Sequence, residues 1–166
     1  MAIKVNVSDK EDRSGEFVPL PSGNYHCVIT EVEQAESQSD ANPGKPLLKF
    51  RAVVQDGEYA DKLMTWTACC WSGALYTIVG VLKALGEYEN AMKGGSLAIP
   101  DAPEFYITRH LMVRRGVNKK AKEKDPDDDP MNWIEVRGFA PWKEGETSAP
   151  KGTLGKAAKA SSSVLP

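Results

Sequence analysis

Residues 46–70 read PLLKFRAVVQDGEYADKLMTWTACC and contain two strand signals, at Pro46–Val54 and Leu63–Cys70. Along the first segment, apolar residues alternate with basic residues, as on a strand with one buried and one exposed face. The apolar set is Leu48, Phe50, Ala52 and Val54, and the basic set is Lys49 and Arg51. This stretch therefore predicts two neighbouring β-strands with a basic outer face.

Further signals on either side complete the order of elements. A strand signal at Asn24–Glu33 precedes this stretch, a helix signal at Ser72–Leu85 follows it, and two more strands follow at His110–Arg115 and Asn132–Phe139. Three strands, a helix and two strands form the chain order of the oligonucleotide/oligosaccharide-binding (OB) fold. We therefore predict a mainly β protein with one or two helices, built on a five-stranded OB-fold barrel.

Composition divides the chain into three parts. We expect an N-terminal arm over 1–20, the OB-fold domain over 21–142 and a low-complexity C-terminal tail over 143–166. Within the arm, Ile3–Val7 alternates apolar and polar residues and is a candidate edge strand. The tail is dominated by Ala, Ser, Gly, Lys and Pro, a composition typical of flexible segments.

Charge and targeting signals restrict the functional classes. The formal net charge is −2, so bulk attraction to nucleic acid is not expected and any basic surface must be local. The longest apolar-rich stretch, Ala74–Leu85, is too short to span a bilayer, and no membrane partner is expected. The three cysteines are an odd number and are expected to be reduced thiols, which favours the cytoplasm.

Four short motifs carry a resemblance to a known family. Pro21–Tyr25, Leu48–Val54, Asp56–Lys62 and Leu82–Gly86, in this order, resemble segments of a family of small bacteriophage proteins. That family is regarded as OB-fold single-stranded-DNA-binding proteins of phage replication and recombination. The resemblance covers roughly 17–139 and implies single-stranded DNA as ligand, replication or recombination proteins as further partners, and the host cell cytoplasm as location.

The residue types also predict a binding surface. Single-strand binders combine a basic groove with aromatic side chains on which bases stack, each stacked base contributing about 1–3 kcal/mol. The candidates are Lys49, Arg51, Trp66, Arg114, Arg115, Lys119, Lys120, Trp133 and Arg137. Alternatives stay open for the tryptophans: Trp66 and Trp71 are typical of core or interface residues, and Trp133 suits a dimer contact.

An acidic cluster follows the basic run. Asp125, Asp127 and Asp129 match the first, third and fifth positions of a calcium loop, but Pro130 replaces the required glycine and Val136 the bidentate glutamate. No metal site is therefore expected. The cluster either neutralises a solvated lysine loop or folds over the basic groove until DNA displaces it.

Catalytic motifs are scarce. His26 and His110 have no ligand pattern around them and are interpreted as ordinary strand residues, and no phosphate loop, nucleophile elbow or zinc motif is present. We expect a non-enzyme without cofactors that binds single-stranded DNA and forms homo-oligomers. The alternative is a structural or interaction module of phage assembly that self-associates through Trp66, Trp71 and the tail.

Overall fold

The computed structural model describes residues 19–150, so the predicted strand Ile3–Val7, most of the arm and residues 151–166 lie outside the described part. Within it, the protein is mainly β, with antiparallel strands and short helices. The strands are β1 (Gly23–Glu36), β2 (Pro46–Val54), β3 (Leu63–Cys69), β4 (Met92–Lys93), β5 (Ser96–Leu97), β6 (His110–Val117), β7 (Ile134–Ala140) and β8 (Ala149–Pro150). The helices are α1 (Tyr76–Ala84), α2 (Tyr88–Ala91), α3 (Pro103–Tyr106), α4 (Lys119–Lys124) and a 3-10 turn at Pro130–Trp133.

The main sheet has the order β3-β2-β1-β6-β7, and β8 adds to one end of β1. Every pairing in this sheet is antiparallel. Among the described residues, β3 and β7 are not paired with each other, so the sheet is open along one seam. The predicted mainly β antiparallel architecture is confirmed, whereas closure into a barrel is not.

Strand β1 pairs with two neighbouring strands, which its length and a bulge within it make possible. Its first half pairs with β6 through Gly23–Val28, and its second half pairs with β2 through Cys27–Glu36. The register shifts at Thr30, which adds one residue and reverses the alternation of faces. Strict alternation would place the Val32 side chain on the other face of the sheet from Ile29. Because of the bulge, Val32 is buried in the core together with Ile29.

Helix α1 packs between the sheet edges and fills the core beneath the seam. Its buried residues Ile78, Val81 and Leu82 meet the inner face of the sheet, where Phe50 and Tyr106 pack edge to face. Gly86 follows the helix with φ of +74°, the left-handed conformation that glycine adopts at helix C-termini. The helix begins at Tyr76, four residues after the start of the predicted helix signal at Ser72, and no side chain caps it.

A second bulge lies between β6 and β7. Arg114 pairs with Gly138 and Arg115 with Val136, so Arg137 is the extra residue. Arg114 and Arg115 point to opposite faces, because successive side chains on a strand alternate. This local geometry separates the roles of the two adjacent arginines.

Candidate nucleic-acid interface

Three adjoining depressions form one groove across the outer surface. The first, about 280 Å³, lies on the outer face of β1, β2 and β3, and the second, about 680 Å³, lies in the seam between β3 and β7. The third, about 230 Å³, lies over β6, β7 and the start of β1. The first two share Thr65–Thr67, and the last two share Gly138 and Phe139, so the groove is continuous. We call this surface the sheet groove.

Lys49 and Arg51 lie in the first depression, where the sequence predicts them. Both side chains are exposed on β2 because the core residues of that strand occupy the other face. Arg51 forms an ion pair with Glu31 across the strands, at 3.5 Å, and Lys49 faces Glu33 in the register. Thr65 and Thr67 of β3 flank the two cations on the other side.

Trp66 lies at the floor of the groove rather than on its surface. Only 7% of the residue is exposed, and its ring is stacked on Phe50 at 5.2 Å and lies 5.0 Å from Phe139. Its buried indole N–H has no acceptor among the described residues. Trp66 therefore offers no open ring face to a base, and the core alternative describes it correctly.

The exposed aromatic side chain of the groove is Tyr76, which sequence reasoning missed. It opens helix α1 at the rim of the seam depression and is 83% exposed. The available signal was its position: Tyr76 falls outside the apolar stripe of Leu75, Ile78, Val79, Leu82 and Leu85. An aromatic ring that lies outside the buried stripe of a helix does not pack against the core.

Arg114 and Arg137 lie together on the outer face of β6 and β7. The Nη2 of Arg114 donates to the carbonyl oxygen of Arg137 at 3.2 Å. Gly138 makes this possible, since a Cβ at that position would lie 3.0 Å from the Arg114 guanidinium. Arg137 also forms an ion pair with Glu135 at 3.2 Å. The Arg114 guanidinium thus packs on Gly138, and both arginines line the groove.

Arg115 points away from this pair. Its Nε donates to the carbonyl oxygen of Leu20 at 3.0 Å and its Nη2 to that of Ile134 at 3.2 Å. Burial lowers the pKa of its guanidinium, because the charged form is less well solvated there. Arg115 therefore ties the entry of the chain to the sheet, and the structure does not bring it to the groove.

Lys119, Lys120 and Trp133 lie in the segment between β6 and β7 and are not among the residues that line the groove. The predicted loop here contains helix α4, whose first turn Asn118 caps by accepting from Lys120 N and Ala121 N. Asn118 also donates to Glu135, which places the basic helix beside the seam. Trp133 lies in the 3-10 turn before β7 rather than in the predicted strand Asn132–Phe139, and it is half-buried under Lys122 at 5.5 Å.

The acidic segment is engaged in local turns. Asp129 accepts from Met131 N, and Asp128 accepts from Asn132. No ion pair joins Asp125, Asp127, Asp128 or Asp129 to a basic side chain within residues 19–150. In this structure the segment does not fold over the basic side chains of the groove.

Residues 142–150, which we call the strap, cover the outer face of β1 and β6. Trp142 stacks on the rings of His26, at 4.2 Å, and His110, at 4.6 Å. Met112, which lies on the same outer face of β6, is buried although it is not part of the hydrophobic core. The pair of histidines is thus a built cluster, which neither residue's sequence context indicates.

The two histidine rings are also joined to each other. Nε2 of His26 lies 2.7 Å from Nδ1 of His110, and Nδ1 of His26 lies 3.8 Å from Asp56. Burial lowers the pKa of His26, and His110 lowers it further, whereas Asp56 opposes the shift. At neutral pH His26 is therefore uncharged. The two hydrogen-bonded rings lie side by side under Trp142.

The described part of the chain holds neither a metal cluster nor a membrane-spanning helix. No cluster of three or more His, Cys, Asp or Glu side chains within 19–150 is arranged to hold a metal ion. No helix in the same range has the length and apolarity to cross a membrane. No protein-family model and no curated protein matches the chain. The functional assignment therefore depends on the geometry of the groove.

Proposed function

We propose that the protein binds single-stranded DNA along the sheet groove, without a catalytic step, and serves DNA replication or recombination. We further propose that its sheet is an OB-fold barrel left partly open. The strand order β3-β2-β1-β6-β7, with α1 inserted after β3, supports this interpretation. An OB-fold is itself a partly open five-stranded barrel.

The observation that carries the proposal is the position of the groove. OB-folds bind oligonucleotides on the face of their second and third strands and with the loops after the first and fourth strands. Here the corresponding face holds Lys49 and Arg51, and the loop before β7 contains the basic helix α4. From this face the groove passes Tyr76, Arg137 and Arg114, and its wall residue Glu135 accepts from Asn118, which caps α4.

The charges of the groove predict contact with individual phosphates rather than bulk attraction. Its cations are Lys49, Arg51, Arg114 and Arg137, and its carboxylates are Glu31, Glu33, Glu135 and Glu146. Within residues 19–150, Lys49 and Arg114 have no carboxylate at ion-pair distance, so they are available to phosphate. Stacking on Tyr76 adds a contribution that does not depend on sequence.

The two adjacent arginines provide a matched test. We expect Arg114→Gln to weaken binding of a fluorescein-labelled dT oligonucleotide about fivefold or more, since one phosphate contact is lost, with little change in stability. Arg115→Gln removes the same charge but breaks two hydrogen bonds of a half-buried cation, so we expect a loss of about 2 kcal/mol of unfolding free energy. Fluorescence anisotropy and urea unfolding measure the two effects. Equal affinities of Arg114→Gln and the parent would contradict the proposed site.

A second candidate function is self-association. The facing edges of β3 and β7 are unpaired among the described residues, and open edges are sites at which another chain adds a strand. Trp66 no longer supports this alternative, because it is buried within its own chain. Sedimentation velocity without DNA tests it: a stable oligomer that fails to bind dT oligonucleotides would favour an assembly module over the proposed function.

A further inference from the structure

The strap holds two neighbouring groups, one beside the third depression and one lining it, that together are similar to one nucleotide. A flat ring, Trp142, lies nearly parallel to the ring of His26, with 7° between their planes. A carboxylate, Glu146, lines the third depression together with Arg114. A nucleotide likewise consists of a flat base and an anionic phosphate a few ångströms apart.

We propose that His26, His110 and Arg114 form a nucleotide subsite of the sheet groove, which the chain's own Trp142 and Glu146 occupy when no nucleic acid is bound. The inference rests on the proposed function and names a new part of its site. The ligand is one nucleotide unit of a single strand, with its base on the histidine rings and its phosphate at Arg114.

The histidine pair is suited to receive a base. The hydrogen bond of 2.7 Å between the two rings holds them side by side, with 29° between their planes. Trp142 reaches both rings at once, so the platform is as wide as an indole ring. His110 stays exposed at the edge of this cover, whereas His26 is 7% exposed beneath it. A purine presents a flat ring of similar size.

Arg114 is suited to receive the phosphate. Its guanidinium lies on Gly138 at the wall of the third depression, and within residues 19–150 it has no ion-pair partner. Glu146 faces the same space, while one of its carboxylate oxygens accepts from the backbone N–H of Lys143. A phosphate bound at Arg114 would therefore enter the space that Glu146 lines.

The strap is built so that its tip can lift while its base stays attached. The turn 142–146 closes on itself, because Trp142 Nε1 donates to Glu146 O and Glu146 N donates to Lys143 O. The base is held separately: Ser148 N donates to Asp56, Ser148 Oγ accepts from His26 N, and β8 pairs with β1. Lifting the turn breaks the stacking but not these contacts.

Occupation by the chain itself reduces the apparent affinity, because DNA binds only the fraction of molecules whose subsite is open. Trp142→Ala is therefore expected to bind a labelled dT oligonucleotide more tightly than the parent, by about fivefold if four-fifths of the molecules are covered. Glu146→Gln keeps the hydrogen bond to Lys143 and removes the charge, so we expect about a threefold gain. Glu144→Gln removes the same charge from the same turn, away from the depression, and we expect no change.

Fluorescence anisotropy titrations of the parent protein and the three variants test the inference. If Trp142→Ala binds more weakly than the parent, Trp142 is itself a DNA contact and the inference is overturned while the proposed function stands. Equal affinities of Glu146→Gln and Glu144→Gln would also overturn it. If the parent does not bind, the proposed function fails and the subsite with it. Circular dichroism checks the fold; should Trp142→Ala unfold, the two glutamate variants decide alone.

Discussion

Burial lowers the pKa of His26 below its ordinary value. The stability of the fold therefore depends on whether this residue is protonated. The unfolded chain takes up a proton at pH about 6.5, whereas the folded chain takes it up only at lower pH. The contribution of neutral His26 to stability is therefore complete above pH about 6.5. It is lost as the pH falls from that value through the folded pKa.

We expect the unfolding free energy of the parent protein to be lower at pH 5.5 than at pH 7.5, as measured by urea denaturation. In His26→Gln the same change of pH is expected to have a smaller effect, since the titrating group is absent. A parent protein that is more stable at pH 5.5, or a His26→Gln variant with the same pH dependence, would contradict this assignment.

Particular residues show what the sequence can and cannot predict at this scale. Alternation alone places Lys49 and Arg51 on the outer face of β2, because that strand has no bulge. Arg114 and Arg115 are indistinguishable in the sequence, and only their register opposite Gly138 and Val136 shows which cation is exposed and which is half-buried. Trp66 is misassigned as a platform because its burial depends on Phe139, seventy-odd residues away in the chain.

At the scale of elements, the sequence predicts the long strands well and the short elements poorly. The bounds of β2 are predicted without error, since one face of the strand is buried throughout. Helix α4 is missed because it has no buried residue and hence no apolar stripe to reveal it. The strap is missed for a related reason: its attachment depends on the histidine pair, which long-range strand pairing assembles.

Substitution of Asn118, which caps α4, tests whether the cap positions the lysines of this helix. The oxygen of Asn118 accepts from Lys120 N and Ala121 N, so Asn118→Ala is expected to cost about 1 kcal/mol within this helix. We expect amide hydrogen exchange at Lys120 and Ala121 to become about fivefold faster. Asn118→Asp keeps the accepting oxygen and, like the alanine variant, loses the bond to Glu135. Equal exchange rates in both variants would mean that the cap is unimportant.

At the scale of the whole molecule, an antiparallel sheet with one open seam carries cations from β2, β6 and β7 on one continuous surface. The net charge of −2 makes long-range attraction a minor contribution. Salt dependence then reports the number of local phosphate contacts, because each contact releases counterions from the nucleic acid.

If four cations each bind a phosphate, the logarithm of the association constant should fall with the logarithm of salt concentration at a slope of about −3. Arg114→Gln should reduce the magnitude of that slope by about 0.7, the value for one contact on a single strand. Anisotropy titrations at several salt concentrations give both slopes. A slope near zero, or one unchanged by Arg114→Gln, would exclude phosphate binding at this position.

Photocrosslinking to a dT oligonucleotide that contains 5-iododeoxyuridine tests the groove most directly, because the excited base reacts with aromatic rings in contact with it. We predict that mass spectrometry of the products finds crosslinks at Tyr76, the exposed ring of the seam. The half-buried rings of Tyr88 and Phe105, which pack against Lys83 and Arg109 outside the groove, should remain unmodified. Crosslinks at those two residues and none at Tyr76 would contradict the account.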